Sequence, residues 1–203
     1  MQHTDTGTQD HSLLFHPFNV MLSILLLGLS VLFVGLTVSY VYIRVTMGVP
    51  PIKAPWLFIL NTALLLGSSY TMIQAKNNYL NDQTEAYKRN LLYTILLSFV
   101  FAIMQGVAWY LLFQDNIALN TSTTAAFLYL ISFVHLAHVI AGLPFLILFY
   151  YKARKRMVDP VTVLVYFSDP EKRLRLKLLT RYWHFLDALW IYLIVFFLIN
   201  MLF

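Results

Sequence analysis

Long charge-free hydrophobic runs dominate this chain. No charged residue interrupts the 33 positions between Asp10 and Arg44, the 22 between Lys53 and Lys76, the 25 between Arg89 and Asp115, or the 36 between Asp115 and Lys152. A fifth run of 22, Tyr182 to Phe203, contains Asp187 as its one charge. An α-helix rises about 1.5 Å per residue, so about 20 apolar residues cross the roughly 30 Å of bilayer hydrocarbon. Each run is long enough. The pattern predicts an all-α integral membrane protein, a five transmembrane helix bundle with spans at about 17–45, 55–75, 90–113, 124–151 and 170–203. No internal repeat or low-complexity tract is visible, so residues 1–203 read as one domain.

Local signals refine the spans. Gly28, Gly35 and Ser39 give the first span small residues for close helix approach in lipid. Pro55-Trp56 reads as a helix start beside an interfacial aromatic. The short polar stretch Gln114 to Thr124 makes the third and fourth spans antiparallel neighbours, and Pro144 marks a kink in the fourth. In the connection 152–169, Asp159-Pro160 and Asp169-Pro170 bracket the apolar run Val161 to Phe167, which reads as a surface hairpin or interfacial segment. Ser168-Asp169-Pro170-Glu171 is a helix-start pattern. One helix from Pro170 to the end is about 50 Å long and projects about 15–20 Å beyond the hydrocarbon. That projection puts Lys172, Arg173, Arg175 and Lys177 at headgroup level.

Composition agrees: 60% of residues are apolar and 11% charged, against about 25% charged in a soluble domain. The net charge of +5 raises the question of nucleic acid, but its distribution answers otherwise. Twelve of the 14 Lys and Arg lie in the 2–3 loop and the connection between the fourth and fifth spans, leaving Arg44 and Lys53 at the other end. The positive-inside rule then places the N-terminus in the cytoplasm and the C-terminus outside. The polar opening Met1 to Asp10 lacks a basic n-region, so no signal peptide is expected. The chain has no cysteine, which excludes disulfides, iron–sulfur clusters, thioether-linked haem and thiolate-bridged copper.

Ionisable groups inside a span cost several kcal/mol and mark function or a partner. His135 and His138 share a face of the fourth span, and His184 lies near the start of the fifth, one turn before Asp187. Haem ligation is the sharp reading of the histidines. Counted from the nearest charges, Lys152 and Arg181, however, His138 and His184 differ in depth by about 15 Å, which is unsuitable for a bis-histidine haem. Hydrogen-bonded packing histidines are the expectation. For Asp187 the readings are partner docking, proton relay, or a local pair with His184 or Arg181; docking is favoured because no second acid continues a path. Asn61 to Ser69 and Gln105 read as interhelical hydrogen-bonding positions.

Together these blocks resemble subunit III of the haem–copper oxidases, the cytochrome c oxidase subunit III family. Tyr182-Trp183-His184-Phe185-Leu186-Asp187-Ala188-Leu189-Trp190 is similar to a helix signature of that family. His135 to Gly142 resembles its two-histidine block, Asn61 to Ser69 its Asn-Thr and Ser-Ser block, and Gln105 falls where the family has a glutamine. Longer members have seven helices, and the short form with five is found in many bacterial oxidases; the missing pair helps form a lipid-holding cleft. Ser30 and Ala108 stand where the family often has acids, so proton-antenna behaviour tied to those acids is not carried over. The resemblance implies an accessory, non-redox subunit of a respiratory terminal oxidase in a bacterial inner membrane. It would have no cofactor of its own, with haem and copper in partner subunits. Subunit I is its direct partner, subunit II and phospholipids further ones, and nucleic acid none. Asn61, Gln105, His135, His138, Arg181, Trp183, His184 and Asp187 are its interface or lipid-contact candidates. The alternatives are subunit III of a quinol oxidase, a nitric-oxide-reductase accessory subunit and, more distantly, a b-type membrane cytochrome.

Overall fold

A computed structural model describes residues 17–49, 56–157 and 160–202. Lys53, Pro55, Asp159, Phe203 and the polar first ten residues lie outside the described set. The helices are α1 (Pro17–Met47), α2 (Leu57–Leu80), α3 (Thr84–Gln114), α4 (Thr123–Arg156), α5 (Pro160–Ser168) and α6 (Pro170–Leu202). All but α5 are long and apolar enough to cross a membrane. Among the described residues there is no strand, as expected of an all-α integral membrane protein.

Four elements depart from the expected spans. The second and third approach each other more closely than charge placement suggested: α2 continues past Lys76 to Leu80, and α3 begins at Thr84. Asp82 closes the hairpin at φ 56°, a left-handed conformation that aspartate tolerates better than most residues. The fourth span runs on to Arg156 and passes through Pro144 as one helix. The segment read as a hairpin or interfacial stretch is helical over Pro160–Ser168. Its Phe167 ring packs against Tyr79 at 5.0 Å and Tyr87 at 6.5 Å, closing the end of the α2–α3 hairpin. Asp169 starts α6 as anticipated, its Oδ1 accepting from the backbone N–H of Glu171 (3.0 Å) and Lys172 (3.4 Å).

Residue pairs across the bundle give helix directions. On α4 and α6, Gly142 faces Trp183 and His135 faces Trp190, so the two run antiparallel. On α1 and α6, Arg181 bonds Asn19, Tyr192 bonds Thr37 and Arg44 bonds Asn200, so these two run parallel. The start of α1 therefore sits at the same end as the basic start of α6. The protruding part of α6 is not bare: Leu174, Leu176 and Leu179 are buried. Helix α1 buries a single stripe, Asn19, Leu29, Phe33, Thr37 and Tyr40, and leaves the rest of its apolar surface exposed.

Candidate functional site: a polar seam between α2 and α6

Helix α2 presents Asn61, Leu65, Ser68, Met72, Ala75 and Tyr79 along one buried stripe. Lipid supplies no hydrophobic drive between helices, so packing and interhelical hydrogen bonds must set which faces meet. Asn61 Nδ2 donates to Gln105 Oε1 on α3 (2.8 Å), and both residues are wholly buried. Lower on the same pair, Ser68 meets Ser98 (3.4 Å) and Thr71 meets Thr94 (2.8 Å).

The other side of the stripe is taken by α6. Trp183 Nε1 donates to Ser68 Oγ (2.9 Å), and Trp190 Nε1 donates to Thr62 Oγ1 (3.1 Å). His184 Nδ1 lies 2.7 Å from Ser69 Oγ. Thus two blocks more than a hundred residues apart in sequence, 61–69 and 182–190, form one hydrogen-bonded seam. Gly142 on α4 permits it. A Cβ there would stand 2.9 Å from both Trp183 Cζ3 and Tyr182 Cε1, and the Tyr182 hydroxyl donates to the His138 carbonyl (2.8 Å).

Asp187 is 4% exposed, with Oδ2 3.9 Å from His184 Nδ1, a distance for ion pairing but not for a hydrogen bond. Its Oδ2 has no hydrogen-bond partner among the described residues. Ser69 and Asp187 both approach the same ring nitrogen. A Ser-His-Asp nucleophile relay needs them on opposite nitrogens, so none is assembled. The His184 side chain is 33% exposed and Arg181 more so. Arg181 donates to Asn19 Oδ1 (3.0 Å), pinning α6 to α1 rather than neutralising Asp187.

The other histidines differ from expectation in two respects. His138 Nδ1 sits 2.7 Å from the Val134 carbonyl, as a packing histidine should. His135 is fully buried, yet neither ring nitrogen has a hydrogen-bond partner among the described residues. Aromatic rings surround it instead: Trp190 at 4.9 Å, Phe101 at 6.0 Å and Phe33 at 6.5 Å. Phe33 also meets His138 at 6.4 Å. The expected depth mismatch is corrected as well. The antiparallel α4–α6 register puts His138 level with Asp187, only about 4.5 Å along the axis from His184. The larger figure came from counting from Lys152 and Arg181, and Arg181 lies eleven residues inside a helix that starts at Pro170. No group of three or more His, Cys, Asp or Glu forms a metal site among the described residues.

Ser30 donates to the Leu26 carbonyl within α1 (2.9 Å), and Ala108 is wholly buried. Sequence reasoning passed over Tyr182, Gly142, Thr62 and Ser69 as individual contacts. The seven-residue spacing of Thr62 to Ser69 and of Trp183 to Trp190, two helical turns on each side, was the available signal.

Residues 30–200 match the family model for cytochrome c oxidase subunit III. Among known proteins, cytochrome c oxidase subunit 3 of Papio hamadryas is 26% identical over 73% of this chain and 52% of its own length. The proteins of the same name from Rhipicephalus sanguineus and Oncorhynchus clarkii are 23% and 27% identical, over 73% and 71% of this chain and 53% and 49% of their own lengths. The chain spans about half the length of the relatives it matches. With five spanning helices, the two-histidine block on α4 and the Trp183-His184-Asp187 block seated on α2, the chain belongs to the cytochrome c oxidase subunit III family.

Proposed function

We propose that this protein is the accessory, non-redox subunit III of a respiratory haem–copper terminal oxidase in a bacterial inner membrane. It holds phospholipid and prolongs turnover by stabilising catalytic subunit I, its direct partner, with subunit II elsewhere in the complex. Its N-terminus faces the cytoplasm, since the end bearing Lys88, Arg89, Lys152 and the start of α6 carries most of the basic charge. The observation carrying this reading is the seam. The polar groups of the family block on α6 are largely engaged in packing against α2, and the partly exposed His184 and exposed Arg181 stand at its outer edge. These two are the groups available to a neighbouring subunit, while the buried Asp187 acts as a positioning residue beneath His184.

Co-purification tests the proposal. His184→Ala and Arg181→Ala are expected to lower recovery of the catalytic subunit several-fold and to shorten turnover lifetime, with the bundle's helical content retained. Unchanged recovery and lifetime would refute the docking role. The isolated chain is expected to show no haem absorbance; a stoichiometric haem band would make it a b-type cytochrome and overturn the non-redox assignment.

A further inference from the structure

Four helices bring polar groups to one depth around the Trp190 indole. Its Nε1 is bonded to Thr62 on α2, and its ring lies 4.9 Å from His135 on α4 and 5.2 Å from Phe101 on α3. Asn61, next to Thr62, is bonded to Gln105 on α3. Gln105 stands one turn from both Phe101 and Trp109, which meet His135 and Ser132 on α4. Asn61, Gln105 and His135, each wholly buried, therefore share one level of the bundle. Gln105 lies about 14 Å before the end of α3 and His135 about 18 Å past the start of α4. That depth is within hydrocarbon, which offers no hydrogen bonds.

Hydrogen-bond accounting at this level does not close among the described residues. The nearby hydroxyls already have partners. Thr62 accepts from Trp190 and donates to the Phe58 carbonyl (2.8 Å), while Ser132 accepts from Trp109 (3.0 Å) and donates to the Leu128 carbonyl (2.8 Å). Left over are Asn61 Oδ1, Gln105 Nε2 and both nitrogens of His135. Reorienting the amides does not help. Exchanging nitrogen and oxygen on both reverses the Asn61–Gln105 bond and again leaves one amide oxygen and one amide nitrogen over; exchanging one sets like against like. The remainder mixes donors and acceptors: the amide oxygen accepts, the amide nitrogen donates, and a neutral imidazole does one of each. It includes no carboxylate for a cation and no lysine or arginine for an anion. Water supplies both donors and acceptors in the smallest volume, which suits a site walled by Trp190, Phe101 and Phe33.

We infer that at least one water molecule is bound between α2, α3 and α4 at this level, donating to Asn61 Oδ1, accepting from Gln105 Nε2 and bonding a ring nitrogen of His135. Buried waters typically make about three hydrogen bonds, to groups that otherwise lack partners. Here the water ties α4 to the α2–α3 pair, whereas the seam joins α2 to α6. The site is internal to this chain and independent of attachment to a catalytic subunit, so its test is separate from the co-purification above.

Two measurements on the full-length chain in lipid vesicles test the site. In nitrogen-15 NMR with polarisation started on water, transfer to Gln105 Nε2 and the His135 ring is expected to be several-fold faster than to Trp183 Nε1. That indole N–H is buried and bonded to Ser68, so it serves as the dry reference. This arm uses wild type alone and stands even where a variant fails to fold. The second arm is His135→Phe, which keeps a ring but removes both nitrogens. If water bonds His135, the loss lowers the dodecyl sulfate unfolding midpoint; if the nitrogens are bare, removing them raises it. Transfer to Gln105 and His135 no faster than to Trp183 would overturn the assignment, and so would a midpoint that does not fall in the folded variant.

Discussion

Replacing Gly142 by alanine tests the α4–α6 contact most directly. The new Cβ would stand 2.9 Å from Trp183 Cζ3, 2.9 Å from Tyr182 Cε1 and 3.5 Å from Trp183 Cε3. Carbon atoms pack best at about 3.5–4.0 Å, so the first two ring atoms must withdraw by at least about 0.6 Å. Neither is free to do so: Trp183 is 1% exposed and bonded to Ser68, and the Tyr182 hydroxyl is bonded to the His138 carbonyl. Overpacking of this kind costs about 1–3 kcal/mol. Stretching the two interhelical hydrogen bonds adds to it, since such bonds are worth about 0.6 kcal/mol each in membrane helices. The higher helix propensity of alanine offsets about 1 kcal/mol. The net expectation is a loss of about 1–2 kcal/mol, measured by tryptophan fluorescence as mild detergent is titrated with dodecyl sulfate. Gly106→Ala is the control, because no heavy atom lies within 4 Å of its added Cβ; it should be neutral or slightly stabilising. Equal unfolding midpoints for the two variants would refute the close-contact reasoning.

The Asn61–Gln105 bond should behave as a coupled pair: Asn61→Leu or Gln105→Leu alone strands a buried amide and costs about 1–2 kcal/mol, whereas the double variant costs less than the sum. Strictly additive losses in the same titration would show that the two amides do not depend on each other. At the start of α6, the side-chain hydrogen bond from Lys172, followed by backbone N–H donors, holds the Asp169 carboxyl below its ordinary 3.8. A depressed carboxyl stabilises the helix start above that ordinary value and loses the effect as pH falls through the lower folded value. Amide protection over residues 170–174 should therefore drop in acid for wild type and stay level in Asp169→Asn; a level wild-type profile would rule out the cap as its source.

The number and class of the spans were legible because hydrocarbon thickness imposes a minimum charge-free length, and the chain meets it five times. Helix ends were not. Lys76, Lys88 and Arg89 read as terminators, yet they sit within α2 and α3, where charges at headgroup level remain hydrated without ending the hydrogen-bond ladder. The depth of His184 relative to His138 was misplaced in the same way, by counting from Lys152 and Arg181, which lie inside their helices. The Val161–Phe167 run was too short for its period to distinguish helix from strand, and the Tyr79–Phe167–Tyr87 contacts that seat α5 are tertiary. At the seam, residue type forecast that Asn61 and Gln105 would bond across helices. That Trp183 selects Ser68 depends on the register between α2 and α6, which no local pattern encodes.

That register explains why so few polar residues suffice. Thr62 and Ser69 lie two turns apart on α2 and meet Trp190 and His184 at nearly the same spacing on antiparallel α6, with the Ser68–Trp183 bond beside the Ser69–His184 contact. Sliding α6 by one turn would break all three bonds at once, carry Trp183 off Gly142 and remove Trp190 from the face of His135. Leucine-rich surfaces alone would tolerate that slip, because one aliphatic row resembles the next in lipid. The indoles and imidazole therefore act as a key for helix position. A key of this kind accounts for the His184 and Trp183 contacts by helix registration alone, and it holds His184 at the outer edge of the seam, with its side chain 33% exposed.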